Sequence, residues 1–348
     1  MGGARRAAAR SARRGGRPRR RQQKKRLPAP LAELAARLAE ARRPWLALGA
    51  GAVGWPNRGA LHAALARLAR RLDAPLAVLG PGGNARGAWL AGLRPEAGRL
   101  DARRALAAPR RLVWLWGVEP EYEAWDAAGA VDHLARSDTV IAAVAYAGPA
   151  MRRYADLILP IAAPYETPGS WLNIEGRLAR AEAGAPPPGA AREGWRVLAA
   201  LAARLERPAL AFERFEDLAA AAAAAVATAP AGGEPPPAAA PAAAAGGLLR
   251  VAAPSPYAWD AVLRRAAPLQ ATAEGRWARA FHLNPQTAAE LGLEAGARVR
   301  LEQDGHAWRG ELRLDARVAP GCVVTGWGEH ERPPLGPAVG PVRLEAGG

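Results

Sequence analysis

The clearest indication of the fold comes from residues 111–160, RLVWLWGVEPEYEAWDAAGAVDHLARSDTVIAAVAYAGPAMRRYADLILP. It contains three short apolar runs, at residues 111–116, 139–144 and 157–159, and a helical pattern at residues 127–136. Short apolar strands separated by helices are typical of a parallel sheet that is covered on both faces. The stretch therefore predicts an α/β domain with a largely parallel sheet.

The same alternation extends toward the N-terminus. Residues 31–43 have the apolar spacing of an amphipathic helix, with Leu31, Leu34, Ala35 and Leu38 on one face. A short strand follows at residues 45–49, a helix opens at Pro56 and runs to residue 72, and residues 75–79 form another strand. The α/β domain is therefore predicted to span residues 31–208.

Beyond residue 208 the composition changes twice. Residues 209–247 are rich in Ala, Pro and Gly, which is typical of a linker. Residues 299–302, 307–314 and 321–325 then alternate apolar with polar side chains and are separated by turns. Residues 248–348 are therefore predicted to form an antiparallel sheet or a small β-barrel.

The basic charge is concentrated in a tail. The formal net charge is +16, but residues 1–26 hold 12 Lys and Arg and no Asp or Glu, so the remainder carries 16 − 12 = +4. Residues 1–30 are predicted to be a disordered basic tail. Nucleic-acid binding by this Arg-rich arm stays open as one function, with a solvated tail as the alternative.

Cysteine and histidine usage limits metal chemistry. The chain has one cysteine, Cys322, so it cannot supply four thiolates to an iron–sulfur cluster. Its five histidines are scattered without a metal-ligand spacing, so no metal site is expected. No apolar run approaches the ~20 residues that span a bilayer, and no secretory signal is recognisable, so a cytoplasmic location is expected.

Two glycine-rich segments follow predicted strands. Residues 80–87 (GPGGNARG) resemble a phosphate-binding turn but lack the flanking residues of known phosphate motifs. Residues 49–54 (GAGAVG) have the spacing of a dinucleotide fingerprint, but no acidic residue ends the next strand. Both segments are also compatible with tight turns between a strand and a helix.

The most distinctive polar segment is ADLILPIAAPYETPGSWLNIEGR (residues 155–177). Its carboxylates Glu166 and Glu175 could form an acid–base pair, but no nucleophile or orienting histidine lies nearby in sequence. Composition alone leaves a polar loop in which one carboxylate pairs with Arg177.

This segment resembles the molybdopterin oxidoreductase superfamily, in which a strand is followed by a glutamate turn and an N-x-E-G-R sequence. NARGA (residues 84–88), WGVEPE (residues 116–121) and LNP (residues 283–285) are similar to further segments of that superfamily. PPPGAAREGW (residues 186–195) and YAWDAVLRRAAPLQAT (residues 257–272) resemble the large iron–sulfur subunit of bacterial NADH:quinone oxidoreductase. The resemblance covers roughly residues 31–345.

The resemblance implies a doubly wound, Rossmann-like α/β domain and a small barrel similar to a molybdopterin-dinucleotide-binding domain. The iron–sulfur part that precedes this region in the family is missing, which suggests a truncated subunit. Cys322 lies in the predicted barrel, where it cannot replace the family's molybdenum ligand. The chain is then expected to bind no cofactor of its own, with molybdopterin guanine dinucleotide left as an alternative.

In such a complex, iron–sulfur clusters and FMN are expected in other segments and subunits. The expected partners are the missing iron–sulfur part and the other peripheral-arm subunits, with no nucleic acid and no membrane insertion. The location would be cytoplasmic and peripheral to the inner membrane, and the isolated chain is expected to be inactive. A former cofactor cleft would be lined by six residues, for which structural roles are predicted: Asn84, Glu166, Asn173, Glu175, Arg177 and Asn284.

Overall fold

The computed structural model describes residues 28–49, 52, 58–80, 82–95, 99–229, 247–328 and 332–347. Its strands are β1 Leu46–Leu48, β2 Leu76–Val78, β3 Val113–Trp116, β4 Val140–Val144, β5 Leu157–Pro160, β6 Gly169–Leu172, β7 Leu178–Ala181, β8 Leu248–Ala253, β9 Phe281–Leu283, β10 Arg298–Gln303, β11 His306–Leu314, β12 Cys322–Gly326 and β13 Val339–Ala346. Its α-helices are Ala29–Glu40, Arg58–Leu72, Ala85–Leu90, Ala102–Ala105, Pro120–Glu123, Ala127–Leu134, Met151–Tyr154, Gly194–Arg204, Phe215–Thr228, Pro256–Trp259, Ala267–Gln270, Ala273–Arg279 and Pro285–Glu290. Among these residues, no helix is long and apolar enough to cross a membrane.

The first five strands pair in parallel, as the sequence predicts. They form two sheets rather than one: β1 pairs with β2, and β3, β4 and β5 lie side by side in that order. In the second sheet Trp114 aligns with Ile141, and Ile141 aligns with Leu157. The prediction of a mixed α/β fold with parallel strands is confirmed.

The core of the α/β part lies on one face of the three-stranded sheet. Leu115, Val140 and Ala142 from the strands pack against Leu134 and Met151 from the helices. Val140 and Met151 are fully buried, and complete burial of such side chains stabilises the fold by roughly 1.5–3 kcal/mol each. This packing fixes the loops that leave β3 and β4.

The helix at the N-terminus differs from its prediction. It spans Ala29–Glu40 instead of residues 31–43, and it buries none of its residues. Leu31 and Leu34, which were predicted to lie on the apolar face of the helix, are each 51% exposed. The periodicity therefore identified a helix, but its apolar face has no covering element among the described residues.

The stretch predicted as a linker also contains regular structure. Phe215–Thr228 forms a helix, and the Phe215 ring contacts Trp195 at a centroid distance of 6.3 Å. Alanine has the highest helix propensity, which explains why the Ala-rich run is helical. Residues 230–246, like most of the predicted basic tail, lie outside the described residues, and the domain boundaries stay predictions.

Strands β8 to β13 form a closed barrel in the order β10-β11-β9-β12-β8-β13. The barrel is mixed: β11 with β9 and β12 with β8 are parallel pairs, whereas β10 pairs antiparallel with β11 and with β13. Its interior is filled by Phe281, Leu301 and Leu312, which are fully buried. Of the two predicted alternatives, an antiparallel sheet or a small β-barrel, the structure has the barrel, and its strand pairing is mixed rather than purely antiparallel.

A buried arginine lies against this core. Arg250 of β8 donates hydrogen bonds to Thr325 Oγ1 at 3.1 Å and to Gln303 Oε1 at 2.9 Å. It also donates to four main-chain carbonyls, those of Gly336, Pro337, Gly326 and Trp327. Burial lowers the pKa of Arg250 to about 10, because the charged guanidinium is removed from water. These bonds tie the segments around residues 326 and 337 to the barrel.

Candidate functional site

The structure places Asn84 against the hairpin of β6 and β7. Its Oδ1 accepts a hydrogen bond from the Leu172 amide at 2.8 Å, and its Nδ2 donates to the Ser170 carbonyl at 3.4 Å. A Cβ at Gly87 would lie 2.1 Å from Asn84 Oδ1, so the glycine leaves room for this side chain. The N-x-x-G pattern is therefore explained by the attachment of a hairpin.

Asn173 holds the tip of the same hairpin. Its Oδ1 accepts a hydrogen bond from the Arg177 amide at 2.8 Å, and Gly176 takes a positive φ of 87° in the turn. Arg86 donates from Nη1 to the Ile174 carbonyl at 2.7 Å. The N-x-E-G-R sequence thus forms a tight turn that is fastened to the helix after Asn84.

The three charged residues of the predicted cleft do not form an acid–base site. Glu166 accepts a hydrogen bond from the Ala163 amide at 2.8 Å and so closes its own turn. Glu175 and Arg177 are exposed at the hairpin tip. Within the described ranges no ion pair joins Glu166 or Glu175 to Arg177, and the predicted pairing was wrong.

Asn284 lies in the barrel part. Its side chain accepts a hydrogen bond from the Gln286 amide at 2.9 Å and donates to the Val318 carbonyl at 2.8 Å. It therefore caps the helix Pro285–Glu290. The side-chain hydrogen bonds of Asn284 among the described residues reach neither Asn84 nor the hairpin.

The six predicted residues do not fit a pterin nucleotide as an assembled cradle. The amide groups of the three asparagines and the carboxylate of Glu166 are hydrogen-bonded to the protein's own main chain. The described residues also contain no group of three or more His, Cys, Asp or Glu side chains that could hold a metal ion. Their place in a former cofactor cleft stays a prediction.

Of the two glycine-rich segments, the first is partly described. Gly82 has a positive φ of 82° and a Cβ there would meet nothing within 4 Å. The segment at residues 49–54 lies mostly outside the described residues.

Sequence reasoning missed a buried cluster of charges between the α/β part and the barrel part, here named the charge junction: Glu119, Glu121, Glu123, Arg264 and Arg265. Arg264 donates to Glu119 at 2.5 Å and to Glu123 at 2.7 Å. Arg265 pairs with the other oxygen of Glu119. The Arg264 and Glu119 side chains are only 1% and 4% exposed, so these ion pairs are shielded from water.

Glu121 is the third carboxylate of the charge junction. Its Oε2 accepts a hydrogen bond from the Tyr154 hydroxyl at 2.8 Å, while its buried Oε1 has no partner among the described residues. Burial raises the pKa of Glu121, and the hydrogen bond from Tyr154 only partly opposes this. Burial also raises the pKa of Tyr154, so the tyrosine stays protonated and remains the donor.

The two halves of the charge junction come from WGVEPE and YAWDAVLRRAAPLQAT, the segments that carry the family resemblance. The short helix Pro120–Glu123 presents the carboxylates, and the turn at Leu263–Arg265 presents the arginines. In the sequence, the charge junction was indicated only by two adjacent arginines and three glutamates at alternate positions. The charge junction can hold the two parts in one orientation, because a buried ion pair has a strict geometry.

Main-chain hydrogen bonds reinforce the same contact. The Ala338 amide donates to the Trp125 carbonyl at 2.7 Å, and the Ala128 amide donates to the Leu335 carbonyl at 2.9 Å. The Trp327 indole donates to the Ala124 carbonyl at 3.3 Å. Trp327 also stacks on Trp259, with an angle of 6° between the rings. The contact is therefore hydrogen-bonded and packed along its length.

Curated relatives match short segments of this chain. A 48-residue segment is 46% identical to the 78 kDa subunit of mitochondrial NADH-ubiquinone oxidoreductase from Candida albicans, covering 14% of this chain and 7% of the relative. A 53-residue segment is 42% identical to the assimilatory nitrate reductase catalytic subunit of Bacillus subtilis, covering 15% of this chain and 8% of the relative. A 95-residue segment is 34% identical to nitrate reductase of Klebsiella oxytoca, covering 27% and 11%. The chain thus matches only a small share of the length of these relatives.

Among solved structures, acetylene hydratase from Pelobacter acetylenicus is similar with a TM-score of 0.48 and 13% identity, over 68% of this chain and 44% of that chain. The match to a family covers a longer part of the sequence than the matches to curated relatives. Residues 26–204, just over half of the chain, match the molybdopterin oxidoreductase family. That range contains the N-x-x-G and N-x-E-G-R segments and the carboxylate half of the charge junction. The chain belongs to the molybdopterin oxidoreductase family.

Proposed function

We propose that this chain is an architectural region of the large iron–sulfur subunit of a bacterial NADH:quinone oxidoreductase. In such a complex, respiratory electron transfer from NADH to quinone is coupled to proton translocation. The chain would work beside clusters and flavin held by other segments and subunits. Its α/β part would correspond to a doubly wound domain, and its barrel to the C-terminal dinucleotide-binding-like domain of the family.

One observation carries the proposal. Several of the polar residues on which the resemblance rests are used for internal structure: Asn84 fastens a hairpin, and Arg264 neutralises Glu119 and Glu123. Glu175 and Arg177 are the exceptions, since both are exposed. A catalytic pocket needs polar groups that remain available to a substrate. Side chains satisfied by their own protein are what a scaffold requires. The similarity to the 78 kDa subunit from Candida albicans is consistent with this role.

A nitrate reductase-like catalytic chain is the second candidate, and the similarity to two nitrate reductases favours it. That activity would need a bound molybdopterin cofactor, and it would place the six predicted residues near a substrate. The first candidate predicts that flavin and iron–sulfur subunits are purified together with the chain. The second candidate predicts that the chain contains a bound molybdopterin cofactor.

The deciding experiment uses the chain tagged at its genomic locus and purified from its own host in mild detergent. Native electrophoresis with an NADH-dehydrogenase stain, followed by mass spectrometry of the stained band, should find the chain with flavin and iron–sulfur subunits. Oxidative release of a fluorescent pterin, together with nitrate reduction by reduced viologen, would instead establish the second candidate. A chain that migrates alone with neither property would overturn both.

A further inference from the structure

A cavity of about 480 Å3 lies where the α/β part meets the barrel part. Its lining includes Arg103, Leu106, Trp125, His133, Trp327 and Pro337. Small-molecule sites in proteins are typically ~300–1,000 Å3 in volume and often lie where two structural units meet. None of the six residues predicted for a cofactor cleft lines this cavity, so it is a different place in the fold.

The walls of the cavity are held in position by the protein. Trp327 is anchored to the Ala124 carbonyl, and Asp126 forms a β-bridge with Pro337. Trp125 meets Trp327 edge to face at 5.7 Å. A pocket that is already ordered costs a ligand less conformational entropy on binding.

Two carboxylates line the cavity, but both are engaged elsewhere. Glu123 is paired with Arg264 at 2.7 Å. Asp126 accepts a hydrogen bond from the Gly129 amide at 2.9 Å and caps the helix Ala127–Leu134. The acidic groups of the lining are therefore poor partners for a ligand cation.

The basic groups of the lining are available. The Arg103 guanidinium lies 5.0 Å from the centroid of the Trp125 ring, and it makes no ion pair with any described residue. His133 Nδ1 is 3.0 Å from the Leu106 carbonyl. Because that oxygen can only accept, Nδ1 carries the hydrogen, and Nε2 is left without a described partner. The cavity thus combines aromatic walls with one free cation and one free imidazole nitrogen among the described residues.

We propose that this cavity binds a small, planar aromatic anion, with its ring against Trp125 and Trp327 and its negative group on Arg103. Aromatic rings pack favourably against tryptophan, and a guanidinium forms charge-assisted hydrogen bonds with carboxylate, sulfonate or phosphate oxygens. The Nε2 of His133 provides a further polar contact. The inference is independent of the proposed function, since either candidate function could include such a site.

The test is isothermal titration calorimetry of the full chain with naphthalene-2-carboxylate and with the uncharged naphthalene-2-carboxamide. The wild type should bind the carboxylate about ten-fold more tightly than the amide, because one charge-assisted contact is worth about 1.4 kcal/mol. Arg103→Gln should weaken carboxylate binding about ten-fold and remove the preference over the amide. Arg104→Gln is the matched control: Arg104 lies on the same short helix but does not line the cavity.

A second variant tests the location. Ala102 is exposed and lines the cavity, so Ala102→Trp should fill the space and abolish saturable binding without disturbing the core. Circular dichroism melting curves check that each variant is folded. Absence of saturable binding to the wild type overturns the inference, as does equal binding of the carboxylate by Arg103→Gln and Arg104→Gln.

Discussion

Removal of Arg264 is the sharpest test of the charge junction. Arg264→Met keeps much of the aliphatic bulk but deletes the cation that is shared by Glu119 and Glu123. Glu119 retains Arg265 as a partner, whereas Glu123 loses its ion pair. A carboxylate that is only 20% exposed then has to remain charged without a partner or take up a proton.

The expected loss is large because the arginine is buried. Its side chain is 1% exposed, and breaking a buried ion pair by removing one partner costs roughly 3–5 kcal/mol. The double variant Arg264→Met/Glu123→Gln removes the uncompensated charge as well, and should recover about 1–3 kcal/mol of that loss. The recovery is the signature of an unpaired buried charge rather than of lost packing.

The assay is urea unfolding at neutral pH, followed by tryptophan fluorescence and by far-ultraviolet circular dichroism. Arg214→Met is the matched control, because its pair with Glu216 is exposed, at 69% and 67%, and the unfolding midpoint should not move. A loss below about 1 kcal/mol for Arg264→Met, or a double variant no more stable than the single one, would show that the buried ion pair between Arg264 and Glu123 does not stabilise the fold.

Three further predictions concern other contacts. Burial raises the pKa of Glu121 above its ordinary value of 4.5, so the folded state keeps this proton to a higher pH than the unfolded chain, and stability is lost as pH rises above that value. In denaturant titrations between pH about 4 and about 8, Glu121→Gln should therefore gain stability relative to the wild type with rising pH, and a constant difference would contradict this. Arg250→Lys should lower the free energy of unfolding by about 2–3 kcal/mol, since an ammonium cannot reach all the oxygens that the guanidinium contacts; calorimetric melting measures the loss. Asn84→Ala frees the Leu172 amide, so trypsin should cut faster at the exposed Arg177 while the melting temperature falls slightly; an unchanged cleavage rate would show that the hairpin is held by other contacts.

The strands of the α/β part could be predicted because each is a short apolar run bounded by turns. The barrel was harder. β10, β11 and β12 alternate apolar with polar residues, whereas β9 has three residues and β13 contains Pro341. β8 carries the buried Arg250 among apolar residues. Because a charged residue occupies an inward-facing position, the hydrophobic pattern of β8 does not show which of its faces is buried. Strand patterning therefore indicated a β domain but not the order of its strands.

The candidate site could be predicted only in part, because some of its contacts join residues that are far apart in the sequence. Asn84 and Asn173 could be recognised from the glycines near them, because a local turn restricts which residues can occupy its positions. The charge junction has no such rule, because Glu119 and Arg264 are 145 residues apart and many charges of either sign lie between them. Long-range pairs of this kind are specified by the packing of the fold as a whole.

The separation of Glu119 from Arg264 also affects how the chain is made. During translation, Arg264 is the 145th residue that the ribosome adds after Glu119, and reaching it takes about 7–30 s at typical bacterial elongation rates. Throughout that interval Glu119 and Glu123 have no arginine partners and stay hydrated at the surface of the nascent α/β part. They can lose their water only once the later half has emerged. An internal stop codon before residue 264 would therefore leave a fragment with a negatively charged, hydrated face where the finished protein has a dry contact, and a protease could recognise the fragment by that face.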